Sequence, residues 1–245
     1  MTDPRLEIIG KRLEGVRNIL AISSGKGGVG KSVVATTLAL SLKARGHRVG
    51  LFDLDFTSPS THLILGVGDL FPEEEKGIIP PLAHGLRYMS ITYYSLDKPA
   101  PLRGADVSDA IIELLAVTRW EELDYLVIDM PPGIGDATLD VLRLVEGIRF
   151  LVVTIPSRLA FETVRKLLTL LGRLEVSVVG VVENMVMKPS SDIAHKVESL
   201  GQAYLGRIDF DPGLEEALGD ATRLMATRFA EDVSEIAEKV EQRLD

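Results

Sequence analysis

The chain has 245 residues, 46% of them hydrophobic and 26% charged, with 36 acids against 27 bases and a formal net charge of −9. That is enough apolar material for a large core, and the acidic balance argues against holding nucleic acid or anionic membrane through bulk charge. Cysteine is absent, which removes disulfides, thiolate nucleophiles and cysteine-held metal clusters from these residues.

The opening residues Met1-Thr2-Asp3-Pro4-Arg5 carry no leader pattern, and no window approaches 18 consecutive apolar residues. A cytoplasmic protein that neither enters membrane nor binds nucleic acid is therefore expected. Residues 1–16 form an N-terminal extension in which Leu6, Ile9, Leu13 and Val16 recur at helical spacing, predicting a helix over 5–16. The apolar run Ile19-Leu20-Ala21-Ile22 predicts a buried strand, and Val33 to Leu42 a helix ending near Gly46. Between them stands Gly25-Lys26-Gly27-Gly28-Val29-Gly30-Lys31-Ser32, which fits G-x-x-x-x-G-K-[ST]. Strand, glycine loop and helix together make a phosphate cradle, because glycines let successive N–H groups turn toward one anion. The cradle is expected over Gly25 to Val33, with Lys31 reaching the β- and γ-phosphates and the Ser32 hydroxyl holding Mg²⁺.

A second strand, 48–53, runs into Asp53-Leu54-Asp55, placing two acids where open α/β sheets put ligands. Residues 66–106 read as a loosely patterned insertion with the acid run Glu73-Glu74-Glu75 and a strand near 86–91. A helix follows over 107–120. The strand 123–129 ends in Asp129, matching the Walker B carboxylate that holds Mg²⁺ through water, and continues as Pro131-Pro132-Gly133-Ile134-Gly135-Asp136. Strands at 150–155, 176–182 and 203–208 and a helix at 159–174 complete the alternation, with Asn184 and the acids Asp209 and Asp211 at strand ends. The final helix, 229–244, is expected to pack on the body. From Arg228 to Asp245 it has six acids against three bases, the wrong sign for anionic lipid. The pattern predicts one α/β domain over 1–245, a mostly parallel sheet covered by helices on both faces.

The second loop lysine, Lys26, the D-x-D at Asp53–Asp55 and the Pro-Pro-Gly segment give a resemblance to the deviant Walker A group, the MinD/ParA/Mrp ATPases. The Pro-Pro-Gly and Asn-Met segments are most similar to its Mrp/ApbC branch. The resemblance implies an ATP-dependent homodimer in which Lys26 acts in trans on the partner's nucleotide. It makes Asp55 the water-positioning group or base, and Asp53 structural or an outer-shell partner of Mg²⁺. It implies that Gly133 senses the γ-phosphate through its N–H, that Asn184 pairs with the adenine edge, and that Asp209 and Asp211 lie in the loop over the base. No N-K-x-D guanine signature is present, so ATP is the expected nucleotide.

The sequence departs from that branch after Asn184-Met185, where Val186-Met187-Lys188-Pro189-Ser190-Ser191 has no C-x-x-C pair to hold an iron–sulfur cluster. His47, His62, His84 and His195 show no ligand spacing. The leading expectation is a slow, dimeric switch ATPase for metallocofactor maturation, resembling the ATPase-type HypB proteins that deliver nickel to [NiFe]-hydrogenase with a HypA-type metallochaperone. Two alternatives stay open: an Mrp-like iron–sulfur carrier acting without its own cluster cysteines, and a MinD/ParA-type positioning ATPase.

Overall fold

The computed structural model describes residues 4–68, 70–95, 105–188 and 192–244. Two stretches singled out from the sequence, 96–104 of the loosely patterned region and 189–191 of the cysteine-free segment, lie outside the described residues.

Helix α1 (Pro4–Leu13) buries Ile9 and Leu13 and leads into β1 (Val16–Ser24), whose Ile19 to Ile22 are buried on both faces, as a central parallel strand requires. Helix α2 (Lys31–Ala44) is apolar almost all round and is buried from Val34 to Leu42. After β2 (Val49–Asp53) and α3 (Thr61–Leu65) come a small antiparallel pair, β3 (Glu73–Glu74) with β4 (Ile78–Ile79), and then β5 (Leu82–Ala83). Next is β6 (Leu86–Ser90), which pairs parallel with β2 and buries Leu86, Tyr88 and Met89. The loosely patterned region therefore supplies a strand of the main sheet. The strand expected near 86–91 is present as these five residues, and its partner β2 lies far back in the chain.

Helices α4 (Thr92–Ser95) and α5 (Ala105–Val117) follow, then β7 (Leu123–Asp129), α6 (Asp136–Leu144), β8 (Arg149–Thr154) and α7 (Arg158–Arg173). Trp120, expected at a helix end, lies beyond α5 and stacks obliquely on Phe52 with centroids 5.2 Å apart. The chain closes with β9 (Val178–Val186), α8 (Ile193–Ser199), β10 (Tyr204–Asp209), α9 (Leu214–Ala217), α10 (Ala221–Met225) and α11 (Arg228–Leu244).

The eight-stranded sheet has the order β10-β9-β8-β1-β7-β2-β6-β5, parallel except for β5. One core, around Ile9, Ile111, Phe161, Leu167 and Ile193, fills the face covered by α1, α5, α6, α7 and α8. The other, around Leu38, Ile64, Leu224, Phe229 and Val240, fills the face of α2, α3, α10 and α11. The single α/β domain with helices on both faces is as expected, and α11 lies against α2 and β10 through Phe229, Val233, Ile236 and Val240. No helix among the described residues is long and apolar enough to cross a membrane.

Candidate nucleotide site

Strand register brings the candidate residues together. Ile22 of β1 is level with Asp129 of β7, and Asp129 is level with Asp53 of β2. The glycine loop leaving β1 therefore opens beside both acidic strand ends, at the carboxyl edge of a parallel sheet. Within the loop Gly28 and Gly30 have φ of 77° and 78°, which side chains disfavour. Gly30 forms the N-cap of α2 with no side-chain hydrogen bond. The amino-terminal N–H groups of that helix are thus left for an anion rather than capped from within.

Two neighbours press on the loop backbone. A Cβ on Gly25 would stand 2.3 Å from Thr163 Oγ1 of α7, and one on Gly30 would stand 2.3 Å from Asn184 Nδ2. The Asn184 amide donates to the Val29 carbonyl at 2.9 Å. Its Nδ2 thus holds the loop, a role the adenine-edge expectation did not include.

Lys31, buried at the start of α2, donates to Asp129 Oδ1, lies 3.6 Å from Asp55 Oδ2, and contacts Ser32 Oγ at 3.2 Å. Asp129 is fully buried and, among the described residues, its Oδ2 has no hydrogen-bond partner. Burial pushes the Asp129 carboxyl up to about 7, Asp53 pushes the same way and Lys31 opposes both. A buried carboxylate oxygen without a donor, a hydroxyl beside it and an uncapped helix start fit a divalent cation with a polyphosphate.

The two acids of the D-x-D divide their work. Asp53 accepts from the Asp55 N–H at 3.0 Å on one oxygen, and from the Thr61 hydroxyl at 2.7 Å and N–H at 3.2 Å on the other. It pins the 54–61 turn, and burial raises its carboxyl. Asp55 uses Oδ1 for the Thr57 hydroxyl at 2.6 Å and the Ser58 N–H at 3.2 Å, leaving Oδ2 toward Lys31. Thr61 and Tyr88, 2.8 Å apart through their hydroxyls, complete the Asp53 network. Sequence reasoning missed both, since neither sits in a motif.

The remaining residues separate. Lys26 and Gly27 are exposed on the loop, Val29 is buried beneath it, and Val33 is half-buried in the first turn of α2. Gly133, at φ 83°, donates its N–H to the Ser24 carbonyl at 2.8 Å, so the segment after β7 is docked on the end of β1. Asp209 accepts from Arg228 at 3.0 Å and pairs with Arg207 at 3.2 Å. Asp211 accepts from the Gly213 and Phe229 N–H groups at 2.9 and 3.3 Å. Both bind the β10–α11 connection.

A family model of NUBPL iron-transfer P-loop NTPases of the ParA group matches residues 15–244. The chain belongs to this family. It is 37% identical over 251 residues to an iron–sulfur cluster carrier protein of Salmonella typhimurium, covering 95% of this chain and 68% of that relative. Among solved structures it resembles a nucleotide-binding protein of Archaeoglobus fulgidus in complex with ADP, with a TM-score of 0.76 and 30% identity over 89% of this chain and 92% of that one. The septum site-determining protein MinD of Pyrococcus horikoshii, complexed with Mg-ADP, shares the fold with a TM-score of 0.69 at 22% identity, over 92% of this chain and 96% of that one. The expected Mrp-like membership and P-loop ATPase class are borne out. Nickel delivery and a HypA-type partner find no support in these likenesses, and the iron–sulfur alternative is the better supported of the two readings.

Proposed function

We propose that this chain is an ATP-binding, slowly hydrolysing switch of the iron–sulfur carrier type that closes as a homodimer on ATP and works without cluster-binding thiolates of its own. The observation that carries this reading is the Lys31 ammonium lodged between Asp129 and Asp55 at the first turn of α2. A lysine there is within reach of phosphates seated on the loop, and its move toward them releases both carboxylates for other work. Ser32 and Asp129 would hold Mg²⁺, Asp129 through water, and the ion supplies charge neutralisation at the β- and γ-phosphate oxygens. Asp55, steadied by Thr57 and Ser58, orients the attacking water. In this reading Asn184 acts on the nucleotide through the Val29 carbonyl, and Asp209 and Asp211 brace the β10–α11 connection beside the base instead of pairing with it.

Lys26 is exposed, and among the described residues no carboxylate pairs with it, which leaves its charge available to a second copy. There it adds positive charge at the transferring phosphoryl group. The iron–sulfur likeness comes from the relatives, whereas these residues contain no cysteine. A cluster handled by this switch is therefore cargo whose thiolate ligands belong to a partner protein. Light scattering after size exclusion in ADP and in ATP tests the switch: ATP doubles the mass of wild type and not of Lys26→Ala. Unchanged mass in both nucleotides overturns it.

A further inference from the structure

A second polar cleft, of about 470 Å³, lies at the β10 edge of the sheet between β9, α8 and α11. Glu183 of β9 is among its lining residues and is only 2% exposed. Its Oε2 accepts from the Tyr204 hydroxyl at 3.0 Å, and among the described residues its Oε1 has no hydrogen-bond partner. A buried carboxylate with one oxygen unmatched is costly, and pairing with a cation offsets that cost.

The cations of the cleft are engaged elsewhere. Arg207 is level with Glu183 in the register of β10 and β9, yet its Nε pairs with Asp209. Arg228 pairs with the same carboxylate, and Lys239 donates to the Leu205 carbonyl at 2.7 Å. On the rim Asp232 and Glu235 are spaced three apart on α11 and add negative field. Among the described residues no group of three or more His, Cys, Asp or Glu is arranged to hold a metal, so the site is not built as a metal cage.

We propose that this cleft binds an alkyl ammonium group, with Glu183 as its anchor. Tyr204 engages Oε2 and Oε1 is the unpaired oxygen, a single acceptor that a compact ammonium meets with one donor, whereas a two-pronged guanidinium needs both oxygens clear. The ammonium arrives either on a free linear polyamine or on a lysine side chain of a docked protein. The site is separate from nucleotide binding: the next residue, Asn184, reaches the P-loop, and the proposal stands whether or not ATP drives dimerisation.

Calorimetry at constant ionic strength with spermidine, and separately with Nα-acetyl-lysine methylamide, tests it on wild type, Glu183→Gln and Ala194→Lys. Ala194 is a half-buried residue of α8 on the cleft wall, where a lysine would supply the cation from within. Wild type is expected to bind one or both amines, and both variants to bind on the order of tenfold more weakly or not at all, with ADP affinity unchanged. Spermidine alone identifies a free amine as the occupant, and the lysine amide identifies a side chain. Absence of binding by both probes, or binding that persists in Glu183→Gln, overturns the proposal. Should Glu183→Gln fail to fold, undiminished amine affinity in Ala194→Lys overturns it.

Discussion

The Asn184 side chain holds the phosphate loop by the carbonyl of Val29, reaching 2.9 Å across 155 residues of sequence. Strand β9 thereby fixes a loop that β1 and α2 alone would leave free on one side. Asn184→Ala is expected to weaken ATP and GTP alike, by roughly tenfold for one lost hydrogen bond of about 1 kcal/mol or slightly more. Calorimetric titration with both nucleotides checks this. A loss confined to ATP would assign Asn184 to the adenine edge instead.

Gly25 meets α7 at Thr163, with the side-chain oxygen at 2.3 Å and the backbone carbon at 2.6 Å from any added Cβ. Gly25→Ala should cost about 1–3 kcal/mol through overpacking, read as a lowered urea midpoint. Adding Thr163→Ala should recover only part of it, because the backbone carbon stays in place.

Asp55 has one oxygen toward Lys31 and the other tied to its own turn. Asp55→Asn keeps the turn's acceptor but loses the charge. Hydrolysis in single-turnover assays is expected to fall about 10²-fold or more, while ATP affinity changes little and the ATP-bound dimer accumulates.

Asp129 gives a pH signature in nucleotide-free protein. Its carboxyl is raised to about 7 by burial, so between the ordinary range near 4 and about 7 the folded state keeps a proton that the unfolded chain has released. Stability therefore falls as pH rises through that window and levels off above it. Denaturant titrations from pH 5 to 8 should show wild type losing more than Asp129→Asn, with a slope difference of at most about 1.4 kcal/mol per pH unit. Parallel curves would contradict this assignment.

Asp211 accepts from the N–H of Phe229 near the start of α11. Asp211→Ala should lower stability by about 1 kcal/mol, as for a lost cap. An unchanged ADP affinity places Asp211 in the scaffold, and a marked loss would return it to the base.

Much of the site was legible because its chemistry is local. Gly25 to Ser32 are contiguous, and Asp53, Asp55 and Asp129 each end an apolar run that announces a strand. What stayed hidden depends on contacts between distant elements. The role of Asp53 requires Thr61 and Tyr88, and the need for glycine at position 25 comes from Thr163, 138 positions later in the chain. Strand β6 was expected from residues 86–91, but five residues among prolines do not say which strand they join, and pairing with β2 decides its place. The bond from Asn184 to the Val29 carbonyl was equally hidden, because the sequence shows where an amide stands and not which way it turns.

The Gly133 N–H is the only backbone donor of its residue and is now given to the Ser24 carbonyl. If Gly133 senses phosphate as the family resemblance implies, a phosphate oxygen that takes this proton draws it away from Ser24, so docking and sensing compete for a single amide proton. That makes Gly133 a natural spectroscopic reporter. Its nitrogen-15 resonance and exchange protection should divide the protein into two populations, and ATP should move molecules between them without any label near the reaction.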